Sequence, residues 1–167
     1  MRRVATLLSA AAVVLWTAGV MAQAPALSGK WTLVPAADAA AGGGGGGGGR
    51  GGRGGGGGGG CGMACTITVD ATTMKVERMV GENTITSTYK LDGSESKNSM
   101  PGRQGGAPTE VVSKATVAGG KITVKTMQGQ NEVTTVYSLS GGNMVVETTR
   151  PGQDGSPMTT SQTYKKG

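Results

Sequence analysis

A repeated stretch of twenty residues constrains the fold of this chain more than any other feature. Residues 74–93 and 122–141 align without a gap, 48 positions apart, with 8 identities in 20. In each copy, apolar and polar residues alternate on both sides of a Gly-x-Asn triplet, which is typical of two strands joined by a tight turn. Gly and Asn tolerate the positive φ angles that such turns require. The repeat indicates a duplicated hairpin. Two unrelated Thr-rich hairpins could also look alike, but either interpretation builds the chain from β-hairpins.

The rest of the chain continues this pattern. Short alternating segments lie at residues 30–34, 65–69, 110–117, 144–149 and 158–165, whereas residues 92–109 look like a long polar loop. No stretch has a convincing helical pattern. The sequence therefore predicts an all-β domain, a single antiparallel meander that closes into a barrel of about eight to ten strands. Closure removes the exposed edges of a long meander. The outward positions are rich in Thr, Lys and Glu, which argues against the apolar outer band of a membrane barrel.

The first residues have the features of an export signal. Arg2 and Arg3 precede an apolar run over residues 4–20, and small residues follow. Cleavage after Ala22 would leave a mature chain of residues 23–167 with no membrane span, located in the periplasm or outside the cell. An uncleaved membrane anchor is the alternative, because the run is close to the length of about 18 residues that can cross a bilayer.

A glycine tract interrupts the predicted domain. Residues 42–60 hold 17 glycines in 19 positions, broken only by Arg50 and Arg53. Such a run buries too little surface to offset its ordering entropy, so we expect a flexible loop over residues 36–62 within the barrel domain. Arg50-Gly51-Gly52-Arg53 resembles an RGG nucleic-acid-binding segment, but such segments carry stacking aromatic residues or many repeats, and this tract has only two arginines and no aromatic residue. A solvated low-complexity tract is therefore the favoured interpretation, and no nucleic-acid partner is expected.

The only two cysteines are Cys61 and Cys65, at the end of this loop. In an exported protein the simplest interpretation is a local disulfide. A redox or metal role is the alternative, but the C-x₃-C spacing is not that of a redox motif. The chain has no His to complete a common zinc set. We therefore expect neither a metal site nor a cofactor.

Two parts of the sequence resemble a known family. Gly29-x-Trp31 in the segment LSGKWTL is similar to the first strand of the calycins, the lipocalin and fatty-acid-binding barrels. Residues 112–117, 133–136 and 162–165 resemble their later strands. The chain also resembles small secreted bacterial lipocalin-like proteins of unassigned activity. The resemblance implies a barrel with the indole across its closed end and a small-molecule ligand. Gln162 stands where fatty-acid-binding proteins have an Arg, and the glycine tract replaces their helical lid, so carboxylate binding is not implied.

Strand phase places a few polar side chains on the predicted inner face. Arg78, Tyr89, Tyr137, Gln162 and Tyr164 would together form the polar end of an apolar pocket, as in small-molecule sites. Alternatively, the arginine lies at a rim and the tyrosines are ordinary core. No His, metal cluster or activated nucleophile is evident, so the protein is not expected to be an enzyme.

Two functions remain open from the sequence. The first is a carrier or sensor that binds a small, mainly apolar molecule inside the barrel. The second is a structural or protein-interaction module whose barrel is filled by its own side chains and whose protein partner the sequence does not identify.

Overall fold

A computed structural model describes residues 26–35, 60–101, 106–152 and 154–167. The predicted export signal (residues 1–22) and most of the predicted glycine loop lie outside these residues. Within the described part of the chain, no helix is long and apolar enough to cross a membrane.

Ten antiparallel strands make up the fold. They are β1 (Gly29–Leu33), β2 (Ala64–Val69), β3 (Thr73–Val80), β4 (Asn83–Lys90), β5 (Asp92–Met100), β6 (Thr109–Ala118), β7 (Lys121–Gln128), β8 (Asn131–Ser140), β9 (Asn143–Pro151) and β10 (Pro157–Lys166).

These strands form one sheet that curls into a nearly closed barrel. The order across the sheet is β4-β3-β2-β1-β10-β9-β8-β7-β6-β5, so each strand lies beside its neighbours in the chain and β1 pairs with β10. The edges are thus β4 and β5, which meet at a boundary that we call the seam. The prediction of an all-β, antiparallel meander barrel of eight to ten strands is confirmed.

The repeated stretch forms two equivalent hairpins, as predicted. β3 and β4 turn at Gly81, and β7 and β8 turn at Gly129, with φ angles of 62° and 63°. These angles lie in the left-handed region that Gly adopts without steric cost. The inward side chains of Met74 and Ile122, at equivalent positions of the two copies, are fully buried.

The prediction of a polar loop over residues 92–109 is wrong for its first half, because β5 occupies Asp92–Met100. This strand pairs with β6, with a register irregularity between Asp92 and Glu95. Its buried positions carry Ser96 and Asn98 in place of apolar residues. A polar inner face removes the hydrophobic alternation by which strands are recognised in a sequence.

The barrel interior is filled largely by its own side chains. The largest fully buried ones are Trp31, Tyr137 and Tyr164. The core cluster also contains Leu27, Cys61, Cys65, Ile67, Met74, Val76, Tyr89, Leu91, Ala115, Ile122, Val124, Met144 and Val146. Burial of this apolar surface is the main force that holds the sheet in a closed form.

Candidate functional site

Side chains, not a backbone ladder, close the described part of the seam. The Asn98 side chain accepts a hydrogen bond from the Thr88 N–H at 2.7 Å and donates one to the Thr88 carbonyl at 3.0 Å. The Lys90 N–H donates to Ser96 Oγ at 2.8 Å. The amide of Asn98 thus offers β4 the same donor and acceptor that a neighbouring strand would offer. The buried polar groups of both strands are satisfied in this way.

Beyond these contacts β4 and β5 part, and a pocket of about 590 Å³ opens at the seam. Its apolar lining includes Val80, Ile85 and Pro108, and its polar lining includes Asn83 and Ser99. This volume lies within the range of about 300–1,000 Å³ that small-molecule sites occupy in proteins.

A second, much smaller cavity of about 10 Å³ lies further inside, between Arg78, Tyr89, Asn98 and Met100. Residues that line the seam pocket are neighbours of residues that line the inner cavity. Met100 lies between Ser99 and Pro101 of the seam pocket, and Ile85 lies opposite Arg78 across the β3–β4 ladder. Such an inner cavity has room for about one water molecule.

Arg78 projects inward from β3, as the strand phase predicts, and it is half-buried. One guanidinium N–H donates to the carbonyl oxygen of Gly60 at 2.6 Å. The charge of Arg78 also acts on the hydroxyls of Tyr89, Tyr137 and Tyr164. The structure therefore brings together one arginine and three tyrosines of the five residues proposed from the sequence.

Burial controls the acid–base behaviour of these tyrosines. Desolvation raises the pKa of Tyr164 to about 12, and the Arg78 charge opposes this rise. Burial also raises the pKa of Tyr89, whereas a hydrogen bond with Ser87 and the Arg78 charge lower it. For Tyr137, burial raises the pKa well above its ordinary value, and Tyr89 and Tyr164 add to the rise. All three side chains are therefore neutral hydroxyls at physiological pH, able to donate hydrogen bonds.

Gln162 is the exception among the five proposed residues, because its side chain is exposed. β1 pairs with β10 only at Tyr164–Lys166. The rest of the β9–β10 hairpin extends beyond the end of β1, and residues 157–162 of β10 are exposed on both faces. Gln162 still contacts the cluster, since its Oε1 lies 3.1 Å from the Tyr164 hydroxyl, whose single hydrogen is shared between this oxygen and the Gly62 carbonyl.

The disulfide predicted between Cys61 and Cys65 is present. Cys61 is fully buried in the core, so the last residues of the predicted loop, 60–62, pack against the barrel. The Tyr164 hydroxyl donates to the Gly62 carbonyl at 3.0 Å, and the Leu33 N–H donates to the Met63 carbonyl at 2.9 Å. We call residues 60–65 the disulfide loop.

Gly29 and Trp31, singled out by the resemblance, lie where β1 meets β10. The indole N–H of Trp31 donates to the Leu27 carbonyl at 2.7 Å, and the Lys166 ammonium lies 5.7 Å from the ring centroid. Gly29 has a φ of 143°, and a Cβ there would come within 2.8 Å of the Lys166 side chain. The Lys166 side chain thus passes close over Gly29 on its way to the indole face, where a cation is attracted to the ring.

The sequence analysis missed a set of polar side chains on the inner wall of β5–β8. Ser113 and Thr126 share a hydrogen bond of 2.9 Å between their hydroxyls. The buried members of this set are Ser96, Asn98, Ser113, Thr126 and Thr135. Alternation in phase with Val124 and Val133 could have identified Thr126 and Thr135 as inward-facing. Among the described residues, no group of three or more metal-ligating side chains comes together.

Comparisons with known proteins give similarity in structure only. No protein-family model matches the sequence. No curated protein matches it either. The chain is similar to the zebrafish ileal bile acid-binding protein crystallised with cholic acid, with 18% identity, 62% of this chain and 72% of that chain covered, and a TM-score of 0.47.

Two further solved structures are similar at the same level. A secretory abundant heat soluble protein from Ramazzottius varieornatus is 15% identical over 62% of this chain and 70% of its own, with a TM-score of 0.47. The fluorescent protein UnaG is 21% identical over 62% of this chain and 72% of its own, with a TM-score of 0.48. Similarity at this level does not indicate a shared ligand.

Proposed function

We propose that this protein is an exported, non-enzymatic β-barrel that binds a small, mainly apolar molecule. The ligand would enter at the seam pocket and direct a polar end toward Arg78 and the tyrosines. The observation that carries this proposal is the pocket of about 590 Å³ at the break in the barrel wall, whose lining residue Ile85 pairs with the half-buried Arg78 across the β3–β4 ladder. An apolar cavity with a few placed polar groups is the usual form of a small-molecule site.

Export is supported by the Arg-Arg and apolar start of the sequence and by the disulfide, since disulfides persist in oxidising compartments. The absence of His from the sequence supports a binding role over catalysis, because His is the commonest general acid–base residue.

A binding experiment tests the proposal. The full chain is titrated with an uncharged, environment-sensitive apolar dye, and a lipid extract is then added as competitor. We expect saturable binding that Ser99→Phe, in the seam pocket, weakens about tenfold or more by filling space. Ser140→Phe is the matched control, since Ser140 is also an exposed strand serine but lies on β8, away from the pocket lining.

A second function, a structural or protein-interaction module, is favoured by one specific observation. The inner cavity has a volume of only about 10 Å³, and the core side chains fill the space around it. Such a barrel would act through its loops and outer face. Absence of dye binding at every accessible concentration, with the fold intact by circular dichroism, would support this second function and overturn the first.

A further inference from the structure

The disulfide loop holds the polar groups that the proposed ligand would need. The Gly60 carbonyl accepts from the Arg78 guanidinium at 2.6 Å, and the Gly62 carbonyl accepts from the Tyr164 hydroxyl at 3.0 Å. Both donors belong to the cluster of Arg78 with the three tyrosines. A backbone carbonyl is a neutral acceptor, and a charged donor binds an acceptor about twice as strongly as a neutral donor does.

The same loop also fills apolar space. Cys61 belongs to the core cluster and is fully buried, and its disulfide to Cys65 fixes it against β2. Cys65 lies directly opposite Arg78 in the β2–β3 ladder. The loop therefore contributes one apolar group and two oxygen acceptors to the same end of the barrel interior. These are the groups that an amphipathic ligand would bring.

We propose that the disulfide loop is an internal plug, which is held in place by the Tyr164 hydroxyl and competes with the ligand for the Arg78 guanidinium. The inference rests on the proposed function and adds a means of control to it. The ligand that displaces the plug carries an oxygen acceptor, such as a sulfonate, carboxylate or carbonyl group, at one end of an apolar body. Release of the Gly60 carbonyl then leaves the Arg78 guanidinium, which lines the inner cavity, able to bind that acceptor group.

Anilinonaphthalene sulfonate is a suitable probe, because it has an apolar body and an anionic acceptor. Its affinity is measured for the full chain and for the variant with Cys61→Ala and Cys65→Ala, in which the loop is no longer fixed. We expect about tenfold tighter binding by the variant, since the loop's bonds to a charged donor no longer compete as strongly. Adding Arg78→Gln should remove this gain, because the glutamine amide lacks the charge.

Tyr164→Phe is a second test that leaves the disulfide in place. It removes the donor to the Gly62 carbonyl and should also tighten binding of the dye, by a smaller factor. If the double cysteine variant fails to fold by circular dichroism, this variant alone decides the question.

The outcomes separate the two proposals. Equal affinity of the dye for the wild-type chain, the cysteine variant and Tyr164→Phe would overturn the plug and leave the proposed binding function standing. Absence of binding by every folded form would overturn the binding function and the plug with it. Tighter binding by the released forms, lost with Arg78→Gln, supports the plug.

Discussion

The two copies of the repeated hairpin have the same turn and the same buried tyrosine, but different surroundings. β7–β8 lies inside the sheet between β6 and β9, whereas β3–β4 ends at the seam. Where the first copy has Arg78, the second has Thr126, which shares a hydrogen bond with Ser113. Two hairpins of similar sequence thus have different positions: β7–β8 is part of the continuous barrel wall, and β3–β4 borders the seam pocket. Position in the sheet decides which role each hairpin takes.

The largest expected difference between the copies concerns their tyrosines. Tyr137→Ala should destabilise the protein by about 4 kcal/mol, because the side chain is fully buried and leaves a cavity. Tyr89→Ala should cost less, since Tyr89 lies on the edge strand β4 and borders the inner cavity, so its surroundings can relax more easily. Urea unfolding of the full chain measures both. Met79→Ala and Met127→Ala, at exposed positions of the two copies, are the controls and should change stability by no more than about 0.5 kcal/mol. An equal or larger cost for Tyr89→Ala would contradict the comparison.

Alkaline titration should separate the same two residues. The pKa values of Tyr89, Tyr137 and Tyr164 in the folded protein lie above the ordinary value of 10.0. The unfolded chain therefore loses these protons first, and stability should begin to fall as the pH rises past 10.0 and continue to fall through the folded-state pKa, about 12 for Tyr164. Tyr89 should ionise before Tyr137. Tyrosinate absorbance of the three Tyr→Phe variants assigns the steps, and ionisation of Tyr137 before Tyr89 would be the contrary result.

The seam should depend on one amide side chain. Asn98→Ala removes both hydrogen bonds to Thr88 and should cost about 2 kcal/mol, because the β4 backbone loses its partners. Thr126→Ala, which removes a single hydroxyl bond in the wall away from the seam, should cost about 1 kcal/mol. Hydrogen exchange at the Thr88 amide should accelerate in Asn98→Ala alone. Unchanged exchange at Thr88 would mean that another contact closes the seam.

The smallest effect is expected at the turns, where the copies are alike. Gly81→Ala and Gly129→Ala should each cost about 1 kcal/mol, because both residues have a positive φ that alanine adopts only with strain. A Cβ at either position would meet no atom within 4 Å, so only the backbone contributes. Denaturant midpoints should therefore fall equally. A clear difference between the two would show that the turns are not equivalent.

The hairpins could be predicted because each presents apolar side chains at a period of two. β5 could not be predicted, because its inward-facing residues Ser96 and Asn98 are polar and form hydrogen bonds across the seam. The sequence does not show which strand they pair with. Strand phase correctly placed Arg78 and the three tyrosines inside. Strand phase failed for Gln162. It predicts which face of β10 a residue lies on, but it does not predict that β1 ends before it reaches Gln162.

The disulfide between Cys61 and Cys65 followed from composition and the expected compartment. The hydrogen bonds that the disulfide loop makes with the barrel could not be predicted in this way. The bond from Arg78 to the Gly60 carbonyl joins residues 18 positions apart, and the bond from Tyr164 to the Gly62 carbonyl joins residues 102 apart. Contacts of this kind depend on the closure of the barrel, which no local pattern specifies.

The proposed ligand should bind at the seam beside the first hairpin and not at the equivalent place beside the second. Amide chemical shifts of the full chain, measured by NMR during titration with anilinonaphthalene sulfonate, test it most directly. We expect the largest changes at residues 80–85, with little change at the equivalent residues 128–133. Changes of equal size in both hairpins, or changes confined to residues 128–133, would contradict it.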